Sequence, residues 1–424
     1  MSMQDNPFIK ETIEEKKEPY YRKLLKTIGL GLGFGAAAAL VFFLLRPLIG
    51  AGGKEKADTV VILQEATTEA EVETTVEPET EAAAQPTGQN TQPSSEAAPT
   101  KETQLDEQEI LRRSNRAVTE MVNQAEKSLA TLNITYPVLD EEFTLITTGA
   151  LFAVTGTEYC FLAERAPIYE GQMVSQVLVT FSNGVTVEGS VKGEDIYAGF
   201  AVYTVPYTDE LAERVPAAVP LETASSKNVQ PGELIAAVGS PTGKVGSLAI
   251  GHVSYIEDNI AAVDRVVQLI SLDAARTEGG KGFLLNSKGQ LVGVFGLDSE
   301  YDQPTITGVG ISSLTNLIEK VSNQDSMAFL GIVGEGVPAD TELPRGVFVS
   351  RCIQDSPAYE AGIQSGDIIT RINNTPMLTF SDFQMLMEDA RAGSRVLITV
   401  ARSGRDEYRE YTYEIVLSER RAVY

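Results

Sequence analysis

The sequence predicts a mainly β chain whose folded part stands behind an apolar N-terminal helix and a polar linker. Three observations carry that prediction. Short runs of alternating apolar residues recur through the middle of the chain, separated by Gly, Asn or Pro turns. One uncharged apolar run, Ile28 to Leu45, stands near the N-terminus. After Lys320 the pattern changes to apolar runs interleaved with two short helical stretches.

The 424 residues allow two to three domains at roughly 100–200 residues each. Lys and Arg total 34 against 59 Asp and Glu, a formal net charge of −25. A surface that neutralises phosphates needs a basic excess, so nucleic acid is excluded as a partner. The chain has one histidine, His252, and two cysteines, Cys160 and Cys352, far apart in sequence. That inventory lacks a Cys/His cluster at metal spacing, and no metal or other cofactor is expected. The two cysteines are read as buried, unpaired thiols.

Residues 1–26 are polar, with Lys16, Lys17, Arg22, Lys23 and Lys26 gathered ahead of the apolar run. The run resumes as Pro47-Leu48-Ile49 after Arg46, which gives residues 27–49 about the length that crosses a bilayer, with Arg46 reaching the far interface. The basic cluster places residues 1–26 in the cytoplasm and the rest outside, as a single-pass signal anchor in the cell membrane. A cleaved signal peptide is the competing reading; the long preceding region and the Arg-Pro ending favour the anchor. Residues 50–105, rich in Glu, Thr, Ala, Pro and Gln with few large apolar side chains after Leu63, are expected to be a disordered acidic linker.

From Glu107 to about Thr131, apolar residues recur at helical spacing (Ile110, Leu111, Val118, Met121, Val122, Ala125, Leu129). The strand runs follow: Thr144–Thr148, Gln176–Phe181, Val185–Val191, Phe200–Val205, Leu234–Val238, Leu248–Ile256, Val266–Ser271 and Gln290–Phe295. By themselves they predict an all-β barrel or sandwich.

The segment Leu272–Gly293 narrows this. Asp273-Ala274-Ala275, Leu284-Leu285-Asn286, Gly289 and Val292-Gly293 resemble the nucleophile segment of the HtrA/Deg family, trypsin-like serine proteases with a C-terminal PDZ domain. The resemblance extends over roughly residues 115 to 420. It includes Val191-Lys192-Gly193-Glu194-Asp195, Val229-Gln230-Pro231-Gly232-Glu233, Ala237-Val238-Gly239-Ser240-Pro241 and Gly251-His252-Val253-Ser254. It implies a trypsin-like double β-barrel over residues 106–322, and the homotrimer that family members commonly form.

At the three positions where the family carries its catalytic triad, this chain differs. Arg165 stands where the resemblance places the general base. Gly199 stands where it places the orienting aspartate. The nucleophile falls on Gly280 or Lys281, because the segment is one residue shorter than the family pattern. A serine hydroxyl needs a base and a carboxylate that holds the base in the right tautomer. A guanidinium stays protonated and has no acceptor lone pair, and glycine has no side chain. No catalytic residue is therefore assigned, although amides of the Gly279–Gly282 loop could still polarise a carbonyl. A Ser287–Lys281 pair and a Cys160–His252 pair are the two rescue constellations the residues allow.

Beyond Lys320, Ala328-Phe329-Leu330-Gly331-Ile332 resembles the carboxylate-binding loop that opens a Deg-type PDZ domain. Gly346-Val347-Phe348-Val349, Ser356-Pro357-Ala358, Ala361-Gly362 and Gly366-Asp367-Ile368-Ile369 match its signature. Ser356 before Pro357 suits a helix start, and Ser381-Asp382-Phe383-Gln384 has capping-box form. The resemblance implies an α/β PDZ domain over residues 326–420, with Phe329, Leu330, Gly331 and Ile332 as its peptide-binding residues. A C-terminal peptide would add as a strand, its carboxylate on the amides of Leu330, Gly331 and Ile332.

The expectation is a membrane-anchored pseudoprotease outside the cytoplasm that binds exposed C-termini or unfolded segments through its PDZ domain. It would serve envelope protein quality control or regulate an active relative. Two alternatives stand beside it: an active envelope endopeptidase with a non-standard site, and a scaffold whose PDZ domain is vestigial.

Overall fold

A computed structural model of the chain describes residues 61–63, 65–66, 107–139, 141–168, 172–297, 303–405 and 407–420. The predicted cytoplasmic segment and membrane helix, residues 1–49, lie outside the described residues. Among the described residues no helix is long and apolar enough to cross a membrane.

The linker expected to be disordered is docked at one place. Strand β1 (Glu65–Ala66) pairs in parallel with Thr223–Ala224. Val61 is buried, and Asn323 grips its backbone, accepting from Val61 N–H at 2.9 Å and donating to Val61 C=O at 3.0 Å. Leu63 N–H donates to Glu319 at 2.7 Å. The physical reason is local: within an apolar stretch of sequence, Val61 is buried and Leu63 packs against the same core, which offsets the entropy of ordering a few residues.

Helix α1 (Glu107–Glu126) ends five residues before the expected Thr131, because strand β2 (Leu129–Val138) begins there. Alternating Ala130, Leu132 and Ile134 turn inward, so the period-2 pattern prevails over a continued helix. With β3 (Glu141–Val154), β4 (Glu158–Glu164), β5 (Gln176–Phe181), β6 (Thr186–Asp195) and β7 (Phe200–Pro206), β2 closes a six-stranded barrel in the order β2-β3-β4-β7-β6-β5. Closure removes the sheet edges that would otherwise seek partners. Helix α2 (Asp209–Arg214), capped by Thr208, leads to β8 (Thr223–Ala224).

The second barrel uses β9 (Leu234–Gly239), β10 (Ser247–Ala262), β11 (Arg265–Ala275), β12 (Gly282–Leu285), β13 (Leu291–Phe295) and β14 (Thr305–Gly310). They run in the order β13-β12-β9-β10-β11-β14, and β13 pairs with β14 to close the ring. Ile235, Leu272, Leu284, Val292 and Phe295 fill its interior. A shared core of Leu162, Phe200, Val202, Phe283, Leu285, Leu314, Leu317 and Met327 joins both barrels to α1 and to helix α3 (Thr315–Asn323).

The C-terminal domain begins at β15 (Ala328–Phe329) and β16 (Ile332–Gly336). It continues through β17 (Val347–Cys352), α4 (Pro357–Ala361), β18 (Ile368–Ile372), β19 (Thr375–Pro376), α5 (Phe380–Asp389), β20 (Arg395–Ser403), β21 (Tyr408–Val416) and β22 (Ser418–Glu419). The main sheet runs β16-β17-β18-β20-β21, with β15 paired to β22. Ser356 caps α4 as expected. The box at α5 is Thr379 with Asp382, two residues ahead of the expected Ser381, because Asp382 accepts from Thr379 N–H at 2.8 Å and Thr379 Oγ1 accepts from Asp382 N–H.

Candidate active-site region and peptide groove

The fold brings together Arg165, Gly199 and Lys281, positions at which the resemblance implies a triad. Strand β4 runs out into Arg165, whose N–H donates to Gly199 C=O at 3.2 Å. Lys281, just before β12, places its ammonium 2.5 Å from Glu164, the neighbour of Arg165. Arg165 itself points to Glu194 at 3.2 Å. The groups gathered here are two cations and two carboxylates in mutual pairs. Burial pushes the Glu164 carboxyl above the ordinary carboxylate range, opposed by the Lys281 charge and hydrogen bond.

The backbone has also closed over the site. Gly199 has φ +76°, and a Cβ built on it would lie 2.0 Å from Leu297 C=O. An aspartate cannot be seated there without moving Leu297. A Cβ on Gly280 would meet Pro241 C=O and Thr277 C=O, both at 2.9 Å.

Two of the loop amides considered as an oxyanion hole, those of Gly280 and Lys281, are committed elsewhere. Gly280 N–H donates to Thr277 C=O at 2.8 Å, and Lys281 N–H to Ser240 Oγ at 3.1 Å. Ser240 N–H in turn donates to Lys281 C=O at 2.7 Å, and Arg276 holds Gly280 C=O at 2.9 Å. A donor already bonded to the protein is not preorganised for a developing oxyanion.

Neither rescue constellation assembles. Cys160 is fully buried, and burial pushes its thiol up to about 12, so the thiolate is absent at neutral pH. His252 is exposed on β10 and pairs with Asp273, Nδ1 to Oδ2 at 3.3 Å. Lys281 is engaged by Glu164, while Ser287 sits beyond β12 in the turn between Asn286 and Gln290. Both cysteines are unpaired; Cys160 is buried as expected, whereas Cys352 is only half-buried.

In the C-terminal domain, the loop expected to bind a peptide carboxylate is occupied from within the chain. The β10–β11 hairpin has a two-residue tip, Val263-Asp264, between paired Ala262 and Arg265. Asp264 adopts φ 57° there, a conformation that Asp tolerates better than most residues. Its carboxylate accepts from Leu330 N–H at 2.9 Å, Gly331 N–H at 3.0 Å and Ile332 N–H at 2.9 Å. Asp264 N–H donates back to Ile332 C=O at 2.8 Å, and Val263 bridges Val333 in antiparallel sense. Val266 N–H donates to Gln384 of α5 at 3.3 Å, and the Val266 side chain packs on the core of the C-terminal domain.

Arg420 locks this contact. It is buried, donates to Asp195 Oδ2 at 2.7 Å and to Val263 C=O at 2.8 Å, and stands 3.9 Å from Asp264 Oδ2. Its guanidinium lies 5.2 Å over the Tyr197 ring, and Tyr197 stacks on Phe329 at 4.8 Å and 13°. Burial raises the Asp264 carboxyl, while Arg420 and the three amides pull it down.

All four predicted groove residues therefore lie together: Leu330, Gly331 and Ile332 present amides, and Phe329 presents its ring to Tyr197. Sequence reasoning missed Asp264, Arg420 and Tyr197. An acid at a hairpin tip reads as turn chemistry, and no local pattern says which donors it meets.

With this geometry in view, the likenesses to other proteins are specific. Residues 139–294 match the trypsin-like peptidase domain model, and residues 348–402 match the PDZ domain model. HhoB of Synechocystis sp. is 30% identical over 262 residues, covering 56% of this chain and 60% of HhoB. Serine endoprotease DegS of Haemophilus influenzae is 27% identical over 242 residues, covering 55% of this chain and 68% of DegS. The chain spans about half to two thirds of the length of the relatives it matches. In fold, a solved structure of the HtrA-type protease AlgWS227A with a tripeptide matches with a TM-score of 0.51 and 17% identity, over 72% of this chain and 97% of that one. The chain thus carries a mainly β trypsin-like double barrel followed by a PDZ domain, and its likenesses support a place among the HtrA/Deg proteins.

Proposed function

We propose that this chain is a membrane-anchored HtrA/Deg-type pseudoprotease outside the cytoplasm that binds exposed C-termini or unfolded segments through its PDZ domain, in envelope quality control or in regulation of an active relative. The observation that carries it is the triad-equivalent region. Arg165, Gly199 and the Gly280-Lys281 pair supply neither nucleophile nor base, and Leu297 C=O occupies the space a side chain at 199 would need. Peptide binding rests on the intact PDZ loop; the membrane anchor rests on the basic cluster before Ile28. The relatives' protease names favour the competing reading, an endopeptidase with a non-standard site. Degradation of casein by the purified full-length chain, beside labelling with a fluorophosphonate, separates the two. No cleavage and no label are expected; cleavage that persists in Cys160→Ala and Lys281→Ala variants would overturn the pseudoprotease reading.

A further inference from the structure

A PDZ groove recognises an extended segment by strand addition and a terminal carboxylate by backbone amides. Both halves of that recognition are already satisfied by residues 263–266. Strand addition is supplied by the Val263–Val333 bridge and by Asp264 N–H on Ile332 C=O. The carboxylate is supplied by Asp264, on the three amides a peptide end would use. An apolar side chain on the domain core is supplied by Val266, and Gln384 of α5 closes the far side.

We infer that the β10–β11 hairpin is an internal ligand of the PDZ domain, with Asp264 standing in for a peptide's terminal carboxylate, so that an outside peptide binds by displacing it. The inference rests on the peptide-binding reading above and adds its regulation and its specificity. The displacing ligand must carry a free α-carboxylate and an apolar last side chain, since those are the features the hairpin imitates. Displacement also frees Arg420 from Val263 C=O. Arg420 also pairs with Asp195, whose carbonyl accepts from Gly199 N–H at 2.9 Å, so a continuous chain of contacts runs from the loop to Gly199.

The test uses the full-length chain in detergent and a fluorescein-labelled decapeptide ending in Tyr-Val, as free acid and as carboxamide. Asp264→Gly and Asp264→Asn are the variants, chosen because both residues accept the positive φ of the turn, which keeps the hairpin folded. Fluorescence anisotropy reads affinity, and hydrogen exchange of residues 328–336 reads whether the loop amides are covered. When only a fraction of molecules has an open groove, apparent affinity falls by that fraction. Removing the plug should therefore tighten binding of the acid by about tenfold or more, raise exchange at residues 330–332, and leave the carboxamide unbound. Equal affinity of wild type and both variants for the acid, with unchanged exchange, overturns the internal-ligand inference and leaves peptide binding standing. No binding by any form, even where exchange shows the loop open, overturns the peptide-binding reading itself and the inference with it.

Discussion

Placing an aspartate at residue 199 should damage the fold rather than create a catalyst. Gly199 has φ +76°, where a side chain costs on the order of 1–2 kcal/mol, toward the low end for Asp. Its Cβ would sit 2.0 Å from Leu297 C=O, and real Cβ atoms essentially never approach within 3.0 Å, so the backbone at Leu297 must shift. Overpacking of this kind typically costs about 1–3 kcal/mol. The two together come to roughly 2–5 kcal/mol, a large share of an ordinary domain's stability of about 5–15 kcal/mol. For a domain of this size that is a fall in Tm on the order of 10 °C. Differential scanning calorimetry of full-length Gly199→Asp and Gly199→Ala measures it; Ala carries the same clash without the charge, so both should fall. A triple variant with Arg165→His, Gly199→Asp and Gly280→Ser should not degrade casein. A Gly199→Ala chain that melts within about 1 °C of wild type would refute the steric argument, and a triple variant that cuts would refute its catalytic consequence.

Other outcomes follow from the same contacts. Arg420→Ala leaves Asp195 and Asp264 buried without their guanidinium, a loss of about 3–5 kcal/mol that a shift in urea midpoint reports; a shift under about 1 kcal/mol would show the clamp to be dispensable. Tyr203→Phe removes a buried hydroxyl that donates to Glu164 C=O at 3.0 Å and should cost about 1 kcal/mol in the same assay. Glu164 has a folded-state pKa above its unfolded value of 4.5, so its contribution is fully present below pH 4.5 and is lost as pH rises through the raised pKa. Glu164→Gln should remove that part of the pH dependence of Tm, which begins above pH 4.5; identical curves for both proteins would contradict the assignment. Burial holds the Cys160 thiol near 12 and burial, then nearby Asp367, holds Cys352 near 11, so N-ethylmaleimide at pH 7 should modify neither rapidly before denaturation.

Much of this molecule is legible in its residues. Alternation in Gln176–Phe181 and Leu234–Val238 places strands β5 and β9 within a residue of their ends, and Val266–Ser271 places the start of β11, which runs on to Ala275. Where reading slipped, neighbours decided: Leu129 continues the helical spacing of α1 yet enters β2, because pairing with β3 and β5 engages the backbone from there onward. Val61, Leu63, Glu65 and Ala66, in an otherwise polar linker, are captured by β8 and α3, contacts more than 150 residues away in sequence.

By itself the sequence determined the strand and helix periods, the two-domain order, the side chains present at positions 165, 199, 280 and 281, and the run Phe329–Ile332 that opens the PDZ domain. Each is a property of single residues or of spacing along one element, and side-chain chemistry and period travel with the chain. Only the tertiary structure decided that Leu297 C=O closes the space beside Gly199, that Thr277 and Ser240 take the loop amides, and that Asp264 fills the peptide loop under the guard of Arg420. Those are meetings between elements far apart in sequence. A carboxylate or an amide carries no mark of its eventual partner until folding sets the distance and removes the competing water.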